Sequence, residues 1–213
     1  SRLLRPPAVP PGDHHDDGRG GGRKDTGGED HYSPWGNVME LGMTFPLQRF
    51  LKRRPPPYGT EPDQRSCWDL HVIDLRGRKS LLAVHCYSRY AFVWYDVAPL
   101  QWADLPGLFR TGLAESLSAA GFSPAQTAAC LQSAAAPALT RTHGRRAVAF
   151  LNRAWEDVLS LDLCLDPSSQ AQPLLDHAVN SRPSRCAGVE GLGTGLERMR
   201  QSLADHGSIQ DAF

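Results

Sequence analysis

The feature that most constrains this chain is a pair of β-rich runs, residues 68–75 and 80–87, separated by Arg76-Gly77-Arg78-Lys79. Two such runs joined by a short Gly-bearing segment read as a β-hairpin. A third run, residues 91–97, carries Phe92, Val93, Trp94 and Tyr95 and extends the hairpin into an antiparallel meander. Apolar residues fall on both faces of these runs, so helices are expected to cover one face and much of the other.

Upstream, residues 38–44 read as a first short strand. Pro46 then suits the first turn of a helix running toward Arg54, with Leu47, Phe50 and Leu51 on one face. From Gln101 the apolar period becomes helical. Leu105, Leu108, Leu113 and Leu117 mark one helix that Gly121 ends. Ser123-Pro124 opens the next as a cap followed by Pro at the first helical position. Residues 139–142 read as a short strand. The helix from Gly144 to near Leu161 is the most amphipathic, with Val148, Leu151, Trp155, Val158 and Leu159 on one stripe and Trp155 at the centre of the buried face. Beyond Pro167 the chain reads as loop until a weak helix at 196–203. The expected fold class is therefore α+β, an antiparallel sheet of about four strands, a meander, packed by about three helices.

Residues 1–36 hold a Pro-rich stretch and a Gly- and charge-rich stretch with few apolar residues. Such a segment cannot offset the entropy of ordering, so it is expected to be a disordered tail. Residues 37–200 form the expected single domain and 201–213 a flexible C-terminus. Lys plus Arg equals Asp plus Glu at 23 each, so the net charge supplies no field that draws in nucleic acid. Nucleic-acid binding is thus not favoured and would need a local patch. Arg49, Lys52, Arg53 and Arg54 form the one dense basic run, ordinarily a solvated helix face and otherwise an anion patch. No apolar run approaches the roughly 20 residues of a membrane span. The 5 cysteines are scattered without a CxxC pair, so no metal and no cofactor is expected. Arginine far outnumbers lysine in a chain rich in Ala, Gly and Pro, a composition that fits a bacterial, cytoplasmic, reduced protein.

The catalytic residue types are few. His71 and His85 lie on neighbouring strands, with Asp69, Asp74 and Cys86 nearby. On one face of the sheet the two histidines would form a metal or hydrolytic site with a carboxylate. A two-residue turn at Arg76-Gly77 would instead send them to opposite faces, because strand side chains alternate with period two. The same alternation keeps Cys86 from meeting its neighbour His85. No Gly-x-Ser-x-Gly, phosphate-cradling loop or His-Glu-x-x-His is present.

Thr142, Arg145 and Asn152 are the most informative polar set. Thr142 stands where a helix N-cap belongs. Arg145, Ala149, Asn152 and Glu156 form one ridge beside the apolar stripe. A cation in the first turn is disfavoured by the helix dipole, so Arg145 implies an anionic partner. That partner is either a ligand or, in the structural version, a bidentate contact to the chain around residues 176–182.

The residues around Ile73-Asp74 and Arg78-Lys79 with Leu81-Leu82, then Leu108-Phe109-Arg110, Gly121-Phe122, the helix start from Thr142 through Arg145 to Asn152, and Asn180-Ser181-Arg182-Pro183 resemble a bacterial family, the domain of unknown function 6933. Arg146, Ala149 and Arg153 stand where that family carries Ser, Gly and Asp. The resemblance implies a fold and a bacterial cytosolic setting, and no activity. Two classes of function follow from the residues. The favoured one is a non-catalytic binding or accessory protein using Arg145, Asn152 and the basic run. The alternative is a hydrolase or nuclease with a site around His71, His85 and Asp74.

Overall fold

The computed structural model describes residues 38–186 and 189–210, leaving aside the side chains of 186, 189 and 205–210. The expected disordered tail at 1–36 lies outside the described residues.

Strand β1 (Glu40–Met43) leads directly into helix α1 (Phe45–Phe50). Thr44 caps that helix by accepting the Leu47 amide, and Pro46 sits in its first turn. The helix ends at Phe50, short of the expected Arg54, where Lys52 takes a positive φ of 52°. A long loop leads to β2 (Cys67–Leu75), β3 (Arg78–His85) and β4 (Ala91–Trp94). Arg76 and Gly77 both have left-handed backbone, at φ 48° and 76°, which is the twist a two-residue hairpin turn demands.

Helices α2 (Pro99–Ala103), α3 (Leu105–Ala119) and α4 (Pro124–Ser133) follow. Ser123 and Gln126 close a reciprocal capping box at the start of α4. Next come β5 (Ala138–Arg141), α5 (Gly144–Ser160), α6 (Pro173–Asn180), the hairpin β6 (Ser184–Cys186) and β7 (Val189–Gly193), and α7 (Gly195–Gln210). Residues 201–210, expected as a flexible end, belong to α7. Among the described residues no helix is long and apolar enough to cross a membrane.

The main sheet has five strands in the order β4-β3-β2-β1-β5, and it is mixed. The meander β2-β3-β4 is antiparallel as expected, but β1 pairs parallel with both β2 and β5. The all-antiparallel, four-strand expectation is corrected here. Parallel neighbours require a crossover, and α1 with the loop after it carries the chain back to the starting end of the sheet.

Helices cover both faces. Trp68, Leu70, Leu81, Ala83 and Phe92 pack with Phe109, Leu113 and Leu117 of α3 and with Met199 of α7. On the other face Ile73, Leu82, Val84 and Val93 meet Phe150, Leu151, Ala154 and Val158 of α5 and Leu175 and Val179 of α6. The buried stripe of α5 is rotated one position from the expected one. Ala154 touches the sheet, while Trp155 is 36% exposed, with its ring edge-on to His71 at 5.0 Å. Helix α6 is absent from the sequence reading because it is short and two of its buried residues are polar. Asn180 accepts from the Ala91 amide and donates to the Ala91 carbonyl, at 2.8 and 2.7 Å. Asp176 accepts from the Val93 amide at 2.9 Å. The two side chains thus pair with the open edge of β4, which an edge strand otherwise leaves unsatisfied.

Candidate functional site

The strand registers gather five ionisable or thiol side chains on the α5 face of the sheet. Glu40 of β1 lies opposite Cys67 of β2, and Gly42 lies opposite Asp69. Cys86 follows β3, with its amide donating to the Cys67 carbonyl at 2.9 Å. His143 stands at the junction of β5 and α5. Its Nδ1 is 2.7 Å from Asp69 Oδ1 and its Nε2 is 2.9 Å from Glu40 Oε2. Cys86 Sγ is 3.6 Å from the same Nδ1. Asp69 also accepts the His143 backbone amide, and Glu40 accepts the amides of Thr60 and Glu61 at 2.7 and 3.0 Å.

The cluster is closed to solvent: the side chains of His143, Glu40 and Asp69 are 5%, 4% and 1% exposed. Burial by itself would strip the proton from His143. Hydrogen bonds with Asp69, Cys67 and Cys86 outweigh burial and hold the imidazole well above the usual histidine range. Burial acts to raise Glu40, but the Thr60 amide, the His143 ring and the Glu61 amide bring it below the usual carboxylate value. Burial pushes the Cys86 thiol up to about 12 and also raises Cys67. These directions favour a charged imidazole beside the Glu40 carboxylate and protonated Cys67 and Cys86 thiols. A buried neutral thiol is inert as a nucleophile. The residue types are, however, those of metal ligands. Glu40, Cys67 and His143 form one mutually close triad, and Asp69, Cys86 and His143 form another.

Two glycines make room for the cluster. A Cβ on Gly42 would sit 2.1 Å from Asp69 Oδ1, and one on Gly59 would sit 2.2 Å from Glu40 Oε2.

The structure separates the histidines of the hydrolase alternative. The register pairs Trp68 with His85 and His71 with Leu82, which puts the two histidines on opposite faces. His85 is bound to Ser88 and the Arg65 carbonyl, His71 to Thr44, and Asp74 is exposed in an ion pair with Lys79. That set assembles no site. Sequence reasoning noted Asp69 and Cys86 but not their partner, His143, because no local spacing connects residues so far apart.

Thr142 is half-buried, and the residue at the N-cap of α5 is His143, without a side-chain cap. Arg145 and Asn152 are exposed. Among the described residues Arg145 makes no hydrogen bond or ion pair, so the bidentate anchor expected of it is corrected. The tie between α5 and the 176–182 segment does exist, with its roles reversed: Arg182 reaches Asp157 of α5 at 2.7 Å. Arg49 lies over the Phe45 ring at 5.8 Å, and Lys52, Arg53 and Arg54 are exposed.

A cleft of about 540 Å³ opens among α5, the end of α6 and the β6–β7 hairpin. Its lining includes Arg89, Arg153, Arg182 and Arg185, with Asp157 as the acidic member. Arg89 is held in place twice: its guanidinium lies 4.8 Å over the Phe150 ring and donates to the Arg185 carbonyl at 2.9 Å. Asn180 and Arg182, which carried part of the family resemblance, are both lining residues.

Residues 40–192 match the family described as Domain of unknown function (DUF6933), well over half of the chain and the same family that the sequence resembles. Comparison with curated proteins found no match.

Proposed function

This chain belongs to the DUF6933 family, and from that premise we propose that it is a non-catalytic binding protein whose ligand is an anion held in the arginine-lined cleft. The observation that supports this reading is that four arginines, two of them ion-paired (Arg182 with Asp157, Arg153 with Glu156), line one cavity in a chain of zero formal net charge. A guanidinium presents a planar fork that matches phosphate or carboxylate oxygens in pairs. The volume of about 540 Å³ suits a small ligand. Arg89 and Arg182 are pre-positioned by their own partners, which lowers the ordering cost of binding. The lining offers arginines, Asn180, Asp157 and Ser184 but, among the described residues, no histidine or cysteine to serve a nucleophile. Arg145 and Asn152, exposed on the same helix, are outer contacts in this reading, and the run Arg49, Lys52, Arg53 and Arg54 is a secondary anion surface. The buried free thiols Cys67, Cys86 and Cys130 suit a reducing, cytoplasmic setting.

Thermal melts of the full chain with inorganic phosphate, pyrophosphate and a nucleoside triphosphate test the proposal. At least one should raise the melting temperature in wild type and not in an Arg153→Gln, Arg185→Gln double variant. No shift with any of the three would end this reading.

A further inference from the structure

We propose that Asp69 Oδ1, Cys86 Sγ and His143 Nδ1 form a binding site for a zinc-class divalent transition metal, with Glu40 orienting the histidine from its far side. The site is independent of the arginine cleft. The three ligand atoms lie within 4.8 Å of one another. Zinc bonds of about 2.0–2.1 Å to nitrogen and about 2.3 Å to sulfur place tetrahedral ligand pairs roughly 3.3–3.8 Å apart. The Cys86 Sγ to His143 Nδ1 distance of 3.6 Å already falls there. Asp69 Oδ1, at 2.7 Å from Nδ1, needs to retreat by about half an ångström as the metal replaces their shared proton. Binding sends that proton and the Cys86 thiol proton to solvent.

Three further observations point the same way. Metal-bound histidines characteristically donate the other ring N–H to a carboxylate, which is the relation of His143 Nε2 to Glu40 Oε2. Glu40 is itself fixed by the amides of Thr60 and Glu61. Gly42 leaves no space for a Cβ, which would come within 2.1 Å of Asp69 Oδ1 and 3.0 Å of His143 Nδ1. The donor set of one thiolate, one imidazole and one carboxylate selects zinc-class ions over magnesium or calcium, which take oxygen ligands. Cys67 belongs to the other triad, with Glu40, and is outside the proposed ligand set.

The test uses the full chain, stripped with chelator and reloaded with zinc or cobalt. After gel filtration, wild type should retain one more zinc per chain than Cys86→Ser, a difference that cancels metal held elsewhere on the chain. Cobalt should give wild type a thiolate-to-cobalt charge-transfer band that Cys86→Ser loses and Cys67→Ser keeps. Glu40→Gln should keep the band but weaken metal affinity by roughly 10–100-fold. Absence of the band in wild type overturns the site whether or not any variant folds. Equal zinc in wild type and Cys86→Ser, or loss of the band in Cys67→Ser alone, also overturns it.

Discussion

His143 Nε2 lies 2.9 Å from Glu40 Oε2, although 103 residues separate them in the chain. The contact joins the first strand of the sheet to the start of α5, and through Asp69 it draws in β2 as well. Removing the imidazole would leave two buried carboxylates facing each other without a cation. His143→Ala should therefore cost about 3–5 kcal/mol of unfolding free energy, measured by urea denaturation at neutral pH. A loss under about 1 kcal/mol would mean that solvent reaches the cluster.

Gly42 and Gly77 should respond differently to the same substitution. A methyl at Gly42 meets Asp69 Oδ1 at 2.1 Å and the Arg141 carbonyl at 3.0 Å, inside a central strand that cannot move aside. A methyl at Gly77 meets nothing within 4 Å and suffers only from the positive φ of 76°. Gly42→Ala should cost roughly 1–3 kcal/mol through overpacking, and Gly77→Ala about 1 kcal/mol through backbone strain. The reverse order in denaturation experiments would contradict the tight packing of β1 on β2.

Asn180 acts as a strand substitute at the open edge of β4. Its amide group satisfies both the N–H and the C=O of Ala91. Asn180→Ala should cost roughly 1–3 kcal/mol for each backbone group left unpaired. Hydrogen exchange at the Ala91 amide should speed up by more than global destabilisation explains. Unchanged protection of that amide in the variant would show that another group covers the edge.

His85 makes the fold acid-sensitive. Full burial holds its pKa down at about 4, against 6.5 for a free imidazole, despite the opposing hydrogen bond to the Arg65 carbonyl. The folded form therefore keeps the ring neutral while the unfolded chain takes up a proton first. Stability falls as pH drops from about 6.5 toward about 4, by up to roughly 3 kcal/mol from this residue. A series of urea melts between those pH values should show a steeper decline for wild type than for His85→Gln. Parallel declines would contradict the buried neutral histidine.

The meander was legible in the sequence because a hairpin is local: Arg76-Gly77 and the period-two runs beside it are contiguous. The parallel placement of β1 was not, since it depends on a crossover through α1 and a long loop whose path no periodicity records. Trp155 read as core because it sits among apolar residues at helical spacing. A one-position rotation brings the smaller Ala154 to the sheet instead. The buried cluster was half visible. Asp69 and Cys86 drew notice beside His71 and His85, but their partner His143 lies 74 and 57 residues away. For Arg145 the expected contact to the 176–182 segment does not form: the ion pair between that segment and α5 is made by a different pair, Arg182 with Asp157 near the other end of the helix.

Calorimetric titration of the full chain with pyrophosphate tests the anion cleft most directly. Wild type should bind at a single site. The Arg153→Gln, Arg185→Gln double variant, with an unchanged melting temperature, should bind at least about tenfold more weakly, a difference of about 1.4 kcal/mol. Equal affinity in the two proteins would contradict the proposal, as would an absence of binding to wild type by pyrophosphate, inorganic phosphate and the nucleoside triphosphate alike.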